Sequence, residues 1–187
     1  RIELNIGQYL DVLGTARADR DEAGARRIAR YKSGKYTIER PLHVGAALAG
    51  RLADLAAPLS EYGDPLGEAF QLRDDILGVY GDTALTGKPV GADLREGKPT
   101  PLLAVAVARA DPRQRALLDG VGRGELTDDA VATLQDVLVA TGARDEIEAS
   151  IERLTHLAVR AIERAAITDE ARDALVDLAN YVAERER

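Results

Sequence analysis

The chain reads as all-α. Two observations predict this: apolar residues recur at three- and four-residue intervals through most of the 187 residues, and alanine, leucine, arginine and glutamate dominate the composition. With 45% of its residues hydrophobic, a chain of this length supports one domain with a substantial core.

The elements follow in order. Ile2, Ile6, Tyr9, Leu10 and Leu13 form one stripe of a first helix, with Gln8 and Asp11 one turn apart on a neighbouring face. A second helix is expected from about Asp21 to Tyr31. Ser33-Gly34 interrupts the pattern, since a small hydroxyl residue and a glycine together favour a cap or bend, and helix resumes beyond it. The alanine-rich stretch from Tyr36 to Leu55 must absorb Pro41, which either opens a helix or kinks one. Another helix, from Ser60 to about Tyr80, carries Gln71, Asp74 and Asp75, with Pro65 expected in its first turns and Gly81 marking its end.

Between Gly81 and Pro101 lies a long connection with four glycines (Gly81, Gly87, Gly91, Gly97) and prolines at 89, 99 and 101. A link of that length between helices is commonly functional. Leu102 to Arg109 is a short apolar helix, and Thr127 caps a helix carrying Val131, Leu134 and Leu138 that ends at Thr141-Gly142. Ile147, Ile151, Leu154, Ala158, Ala161 and Ile162 make a long amphipathic stripe, and Thr168 opens a last helix carrying Leu175, Leu178 and Val182. These later helices read as scaffold.

Charge and composition narrow the function. A net charge of -7 repels nucleic-acid backbones and gives no support to binding an anionic membrane surface. No cysteine is present, so there is no disulfide framework and no thiolate nucleophile, which allows a reducing cytosol. No apolar run approaches the roughly 20 residues of a membrane-spanning helix. The chain starts at Arg1 and contains no methionine, so it is expected to be a fragment or a processed chain.

The strongest chemical signal is Phe70-Gln71-Leu72-Arg73-Asp74-Asp75, followed by Gly87-Lys88-Pro89 and Asp93-Leu94-Arg95-Glu96-Gly97-Lys98. Adjacent carboxylates and two spaced ammonium groups across a glycine-rich loop suit a magnesium-bound diphosphate. Carboxylates hold Mg²⁺ while phosphate oxygens complete its coordination, and lysines neutralise the remaining phosphate charge. On a helix, Gln71 shares a face with Asp74 at spacing three and with Asp75 at spacing four. Only four of the 25 basic residues are lysines (Lys32, Lys35, Lys88, Lys98), and all fall between positions 32 and 98. A lysine ammonium makes a point-charge contact with phosphate that the planar arginine fork does not reproduce.

These segments resemble the trans-isoprenyl diphosphate synthases, the polyprenyl synthetase family, with its isoprenoid synthase-type helical bundle. Gly7-Gln8-Tyr9-Leu10-Asp11 is similar to the family's Gly-Gln-x-x-Asp helix, Lys32-Ser33-Gly34-Lys35-Tyr36 to its Lys-Thr/Ser segment, and the Gln71 to Lys98 stretch to its second aspartate-rich region. The resemblance implies that Lys32 reaches the allylic diphosphate, while Gln8, Asp11, Ser33 and Tyr36 line the cavity or hold Lys32. It implies that Gln71 supports the reacting end of the substrates, that Asp74 and Asp75 bind Mg²⁺ with Asp93 behind them, and that Lys88 and Lys98 close over the diphosphate. It also implies a homodimer, here expected in the cytoplasm, of which residues 1–187 are the C-terminal portion of a single domain whose N-terminal helices, bearing the first aspartate-rich motif, lie upstream.

Two positions depart from the family pattern. The second region usually reads Asp-Asp-x-x-Asp, whereas this chain has Gly78 at the third place, and Pro99 stands where an arginine or tyrosine is expected. The reaction the resemblance implies is condensation of an allylic diphosphate with isopentenyl diphosphate, which needs no histidine or serine nucleophile, so His43 and His156 are read as structural. Three competing readings are a non-catalytic subunit with the same fold, a class I terpene cyclase, and a plain helical interaction module. The cyclase's usual downstream Asn/Asp-x-x-Ser/Thr-x-x-x-Glu motif is absent, and the module leaves the glycine-rich lysine loop unexplained.

Overall fold

The computed structural model describes residues 2–17, 21–87 and 89–185, the side chains of Ser33, Leu85 and Thr86 excepted, and every element among them is helical. The helices are α1 (Ile2–Arg17), α2 (Glu22–Ala29), a π-helical segment (Arg30–Glu39), α3 (Arg40–Leu48), α4 (Leu52–Tyr80), α5 (Thr83–Thr86), α6 (Ala92–Glu96), α7 (Pro101–Arg109), α8 (Pro112–Leu118), α9 (Asp128–Ala140), α10 (Ala143–Glu163) and α11 (Asp169–Glu184). No helix among the described residues is long and apolar enough to cross a membrane.

The described residues group into two compact units. The first takes 2–8, 29–73 and 150–185; the second takes 9–17, 21–28, 74–87 and 89–149. Ile38, Leu59, Tyr62, Leu66, Ala158, Ile162, Ala179 and Val182 form the apolar core of the first. Tyr62 is fully buried there, and its hydroxyl donates to the Leu175 carbonyl at 2.7 Å, which removes the cost of an unpaired buried O–H. In the second unit α7 is buried from Pro101 to Val107 and packs against α8 and α9. Gln135 on α9 donates to the Val79 carbonyl at 2.7 Å, and the Tyr80 hydroxyl donates to the Gln135 carbonyl at 3.2 Å, so α9 clasps the end of α4.

Two local expectations need correction, one open alternative is settled and one helix was missed. The Ser33-Gly34 break is no cap: the chain winds on as a π-helix from Arg30 to Glu39 and runs into α3. Gly34 serves a crossing instead, since a Cβ built on it would lie 3.3 Å from the backbone carbon of Gly67 on α4. Pro41 opens α3, in whose first turn its missing N–H costs nothing. Helix α4 begins at Leu52, eight residues ahead of the expected Ser60, so Pro58 and Pro65 both stand inside it. Each proline deprives the carbonyl four residues back of its partner, and those residues, Asp54 and Glu61, are exposed, so water can replace the lost donor. Finally, α8 was not foreseen from periodicity, being held by Asp111 and Gln114 in a reciprocal capping box. The caps at Thr127 and Thr168 match the sequence, each hydroxyl accepting the N–H three residues on at 3.3 Å.

Candidate diphosphate and metal site

In the second unit the stretch from α6 to α7 is held by several independent restraints. Arg95 on α6 donates to the Leu126 carbonyl and, at 2.6 Å, to Asp128 at the start of α9. Gly97 ends α6 with φ +67, and a Cβ on Gly122 would lie 2.8 Å from Gly97 Cα, so two backbones touch where any side chain would part them. Thr100 then caps α7 through the Leu103 N–H at 3.2 Å. These restraints fix where Lys98 emerges.

Lys98 points inward. Its Nζ lies 2.8 Å from Asp93 Oδ2 and 3.2 Å from Asp75 Oδ1. Both carboxylates are buried, Asp75 at 2% and Asp93 at 6% exposure, while the lysine side chain keeps 22%. Burial works against the charged ammonium, but the fields of Asp75 and Asp93 and their hydrogen bonds outweigh it and hold Lys98 well above the usual lysine range. It is therefore a fixed cation at neutral pH. Asp74, one residue along α4, is half-buried beside this cluster in sequence.

Gly78 bears on the same cluster. A Cβ built at position 78 would lie 2.9 Å from Oδ1 of Asp93 and closer still to its Cγ and Oδ2, so the Asp93 carboxylate occupies the space a side chain there would need.

The first unit holds the other predicted lysine segment. Gly7 on α1 packs against it so closely that a Cβ there would lie 2.7 Å from Lys32 Cα, bringing the Gly7-Gln8 motif onto the Lys32 backbone. Lys32 is half-buried, whereas Gln8 and Tyr36 are exposed, Tyr36 at 52% on the rim of an open groove with Thr37, Arg40 and Val44. Gln71 is buried in this unit and Asp11 is half-buried in the second. Lys88 and the side chain of Ser33 lie outside the described residues. A π-helical stretch carrying a motif lysine is where such windings commonly occur, at functional positions.

Sequence reasoning missed the network that fastens this segment. Lys35 Nζ donates to Glu39 at 2.6 Å and to Asp64 at 3.1 Å, and Arg30 reaches the other Asp64 oxygen at 2.7 Å. Ser60 donates to Glu39 at 2.6 Å, and His43 Nε2 sits 3.1 Å from both Ser60 Oγ and the Ala56 carbonyl, which gives His43 the structural role expected of it. The i,i+4 spacing of Lys35 and Glu39 was the available signal; the α4 partners were not visible from spacing. Lys35 is thus a tie to α4.

This network sets an acid limit. Burial pushes the Glu39 carboxyl up, but hydrogen bonds from Lys35 and Ser60 prevail and hold it below its ordinary 4.5. A lowered folded value means stability that is fully present above pH 4.5 and is lost as pH falls through the folded value; Glu3, hydrogen-bonded by Arg40, acts in the same direction. Burial opposes the Lys35 charge, yet Glu39 and Asp64 raise it above 10.5, so its contribution persists until pH rises beyond that. Denaturation midpoints should therefore decline below pH 4.5, and Glu39→Gln should flatten that limb. A midpoint that climbs on acidification would contradict the assignment.

Comparison with known proteins decides the family. The model of the polyprenyl synthetase family matches residues 2–138. The chain belongs to the polyprenyl synthetase family. Over 185 residues it is 35% identical to the geranylfarnesyl diphosphate synthase of Aeropyrum pernix, covering 98% of this chain and 57% of that protein. It is 32% identical over 188 residues to the (2E,6E)-farnesyl diphosphate synthase of Mycobacterium tuberculosis, covering 98% and 52%. The crystal structure of a geranylgeranyl pyrophosphate synthase from Corynebacterium glutamicum, complexed with isoprenyl diphosphate and magnesium, superposes with a TM-score of 0.95 at 42% identity, over 99% of this chain and 53% of that one. The chain thus spans about half the length of the relatives it matches, and its fold is the helical isoprenoid synthase fold of this polyprenyl synthetase family.

Proposed function

We propose that the protein containing this chain is a Mg²⁺-dependent prenyltransferase that condenses an allylic diphosphate with isopentenyl diphosphate into a longer trans-prenyl diphosphate. The observation that carries the reading is the Lys98 ammonium held between the buried carboxylates of Asp75 and Asp93, next to Asp74 on α4. Membership of the polyprenyl synthetase family and the diphosphate and magnesium in the C. glutamicum relative support it.

Among the described residues no three acidic, histidine or cysteine side chains are grouped so as to hold a metal by themselves. Mg²⁺ usually keeps several waters and is held by one or two carboxylates together with substrate phosphates. Asp74 and Asp75 would hold the metal, with Asp93 behind them on Lys98. When bound, Mg²⁺ supplies Lewis-acid neutralisation of the diphosphate.

The reaction breaks the allylic C1–O bond, adds the isopentenyl double bond to the resulting cation and releases a proton, with the electron pair leaving on diphosphate. The protein's task is to stabilise charge on that leaving group. A preorganised, partly desolvated ammonium such as Lys98 does this without reorganising at the moment of ionisation. We assign the further diphosphate contacts to Lys32 and Lys88, substrate support to Gln71, and positioning or lining roles to Gln8, Asp11, Ser33 and Tyr36. The chain is the C-terminal portion of one such domain in this reading, and the whole protein a cytoplasmic homodimer.

The test is condensation of labelled isopentenyl diphosphate by the complete protein, before and after metal removal. Product is expected with Mg²⁺ and an allylic primer, its formation falling to background in chelator and returning on Mg²⁺ readdition. Undiminished turnover in chelator would refute the metal role.

A further inference from the structure

His43 lies where α3 meets α4 in the first unit, and the protons around it can be placed by elimination. One oxygen of Glu39 accepts from Lys35 at 2.6 Å and the other from Ser60 at 2.6 Å, so the single hydroxyl proton of Ser60 is committed to Glu39. His43 Nε2 stands 3.1 Å from Ser60 Oγ and 3.1 Å from the Ala56 carbonyl, and neither oxygen has a proton to give it. Nε2 must therefore carry one. The other nitrogen faces the opposite kind of partner: Nδ1 is 3.3 Å from Nη1 of Arg40, and a guanidinium only donates, so Nδ1 must be a bare acceptor.

We propose that His43 is a positioning residue, held by α4 with its proton on Nε2 so that it presents Nδ1 to Arg40 and orients the guanidinium that grips α1. The hydrogen bonds then run one way, from Arg40 to His43, from His43 to Ser60 and from Ser60 to Glu39. A proton on Nδ1 would set N–H against N–H, and a ring turned over would set carbon against both Arg40 and Ser60.

What the guanidinium does with its free edge gives the relay its purpose. Arg40 Nε and Nη2 hold the two carboxylate oxygens of Glu3 on α1 at 2.9 and 2.6 Å, a bidentate fork. Both side chains are partly exposed, Arg40 at 45% and Glu3 at 35%, and an exposed pair loses much of its worth in ordering two long side chains. A third contact on Nη1 fixes the plane of the fork in advance. Glu3 precedes by four residues the Gly7 whose backbone meets that of Lys32, so α1 is attached at two points one turn apart. One point alone would let α1 roll. Glu3 and Arg40 also line the same groove as Tyr36, so the relay holds one wall of that groove against the other.

The test uses the complete protein and has two arms, of which only the kinetic readout rests on the prenyltransferase reading above. In the first, imidazole ¹⁵N spectra are recorded at neutral pH on protein labelled at histidine; there are two histidines, and His156→Gln, at an exposed site, assigns the signals. A proton on Nε2 with a bare Nδ1 is expected for His43. A proton on Nδ1 overturns the relay. In the second arm, amide exchange in α1 and the KM of the allylic diphosphate are compared among His43→Asn, His43→Gln and His43→Leu. Asparagine can offer an oxygen near the place of Nδ1 but does not reach α4; glutamine reaches α4 but leaves that place empty; leucine supplies neither. Glutamine and leucine should each speed α1 exchange and raise KM about threefold to fivefold, the range of a partly exposed ion pair, with kcat nearly unchanged, while asparagine stays nearer the parent. A role in packing alone predicts the reverse order, because leucine and glutamine keep more of the ring's volume. That reverse order, or α1 exchange equal to the parent in all three variants, overturns the proposal, and the two polar variants decide it if His43→Leu fails to fold. Should the parent protein form no condensation product, the prenyltransferase reading fails, and the spectra and exchange still judge the relay.

Discussion

Lys98→Ala in the complete protein should lower kcat/KM for condensation about a hundred- to a thousandfold, the usual cost of deleting one preorganised group facing transition-state charge. The effect is large because two losses coincide. In the reading proposed above the ammonium that meets the departing diphosphate disappears, and the buried carboxylates of Asp75 and Asp93, now without their shared counter-ion, repel each other. Lys98→Arg should rescue poorly, since a planar guanidinium cannot occupy the compact seat between two carboxylates 2.8 and 3.2 Å from one nitrogen. Asp74→Ala should lose a comparable factor but by another route, visible as a raised Mg²⁺ requirement. Far-UV circular dichroism should not change in either variant. Near-normal turnover in both would remove the basis for placing the diphosphate here.

What the sequence disclosed and what it concealed divide along physical lines. Interactions that close within one turn were legible: the caps at Thr127 and Thr168, the end at Thr141-Gly142, and the shared helix of Gln71, Asp74 and Asp75 all depend on spacing. So was the pairing of the glycine-rich loop with the acidic motif, because a motif is a record of residues that meet. Interactions between distant segments were not. Lys35 counted only as one of the clustered lysines, and Asp64, 29 positions away, and Glu39 absorb its charge. Gly78 looked like a missing ligand, and only the fold reveals Asp93 standing in its space. Pro65, expected in the first turns, stands well inside α4, because its penalty is small where the orphaned carbonyl belongs to exposed Glu61. Ser33-Gly34 was read by local preference as a break, whereas the glycine answers to the backbone of Gly67 thirty-three positions on.

That last contact carries the largest expected loss of stability. Gly67→Val should destabilise the first unit by about 3 kcal/mol or more, the upper range for overpacking a filled interior. A Cβ on Gly67 would lie 2.8 Å from the backbone carbon and oxygen of Gly34, and backbone cannot rotate away as the end of a side chain can. Two helices would have to separate. Separation would also strain the ties beside the crossing, where Lys35 on the π-helical segment reaches Asp64 on α4 and Ser60 on α4 reaches Glu39. The segment that loses its seat is the one bearing Lys32, so in the reading proposed above the KM of the allylic substrate should rise in any folded fraction. Gly45→Ala is the matched control, a helical glycine with open space around it, and should be neutral or stabilising by about 0.5–1 kcal/mol through helix propensity. Chemical denaturation of the pair decides the matter: equal midpoints for Gly67→Val and Gly45→Ala would mean that the crossing tolerates a side chain and that the glycines at 34 and 67 do not set the approach of these helices.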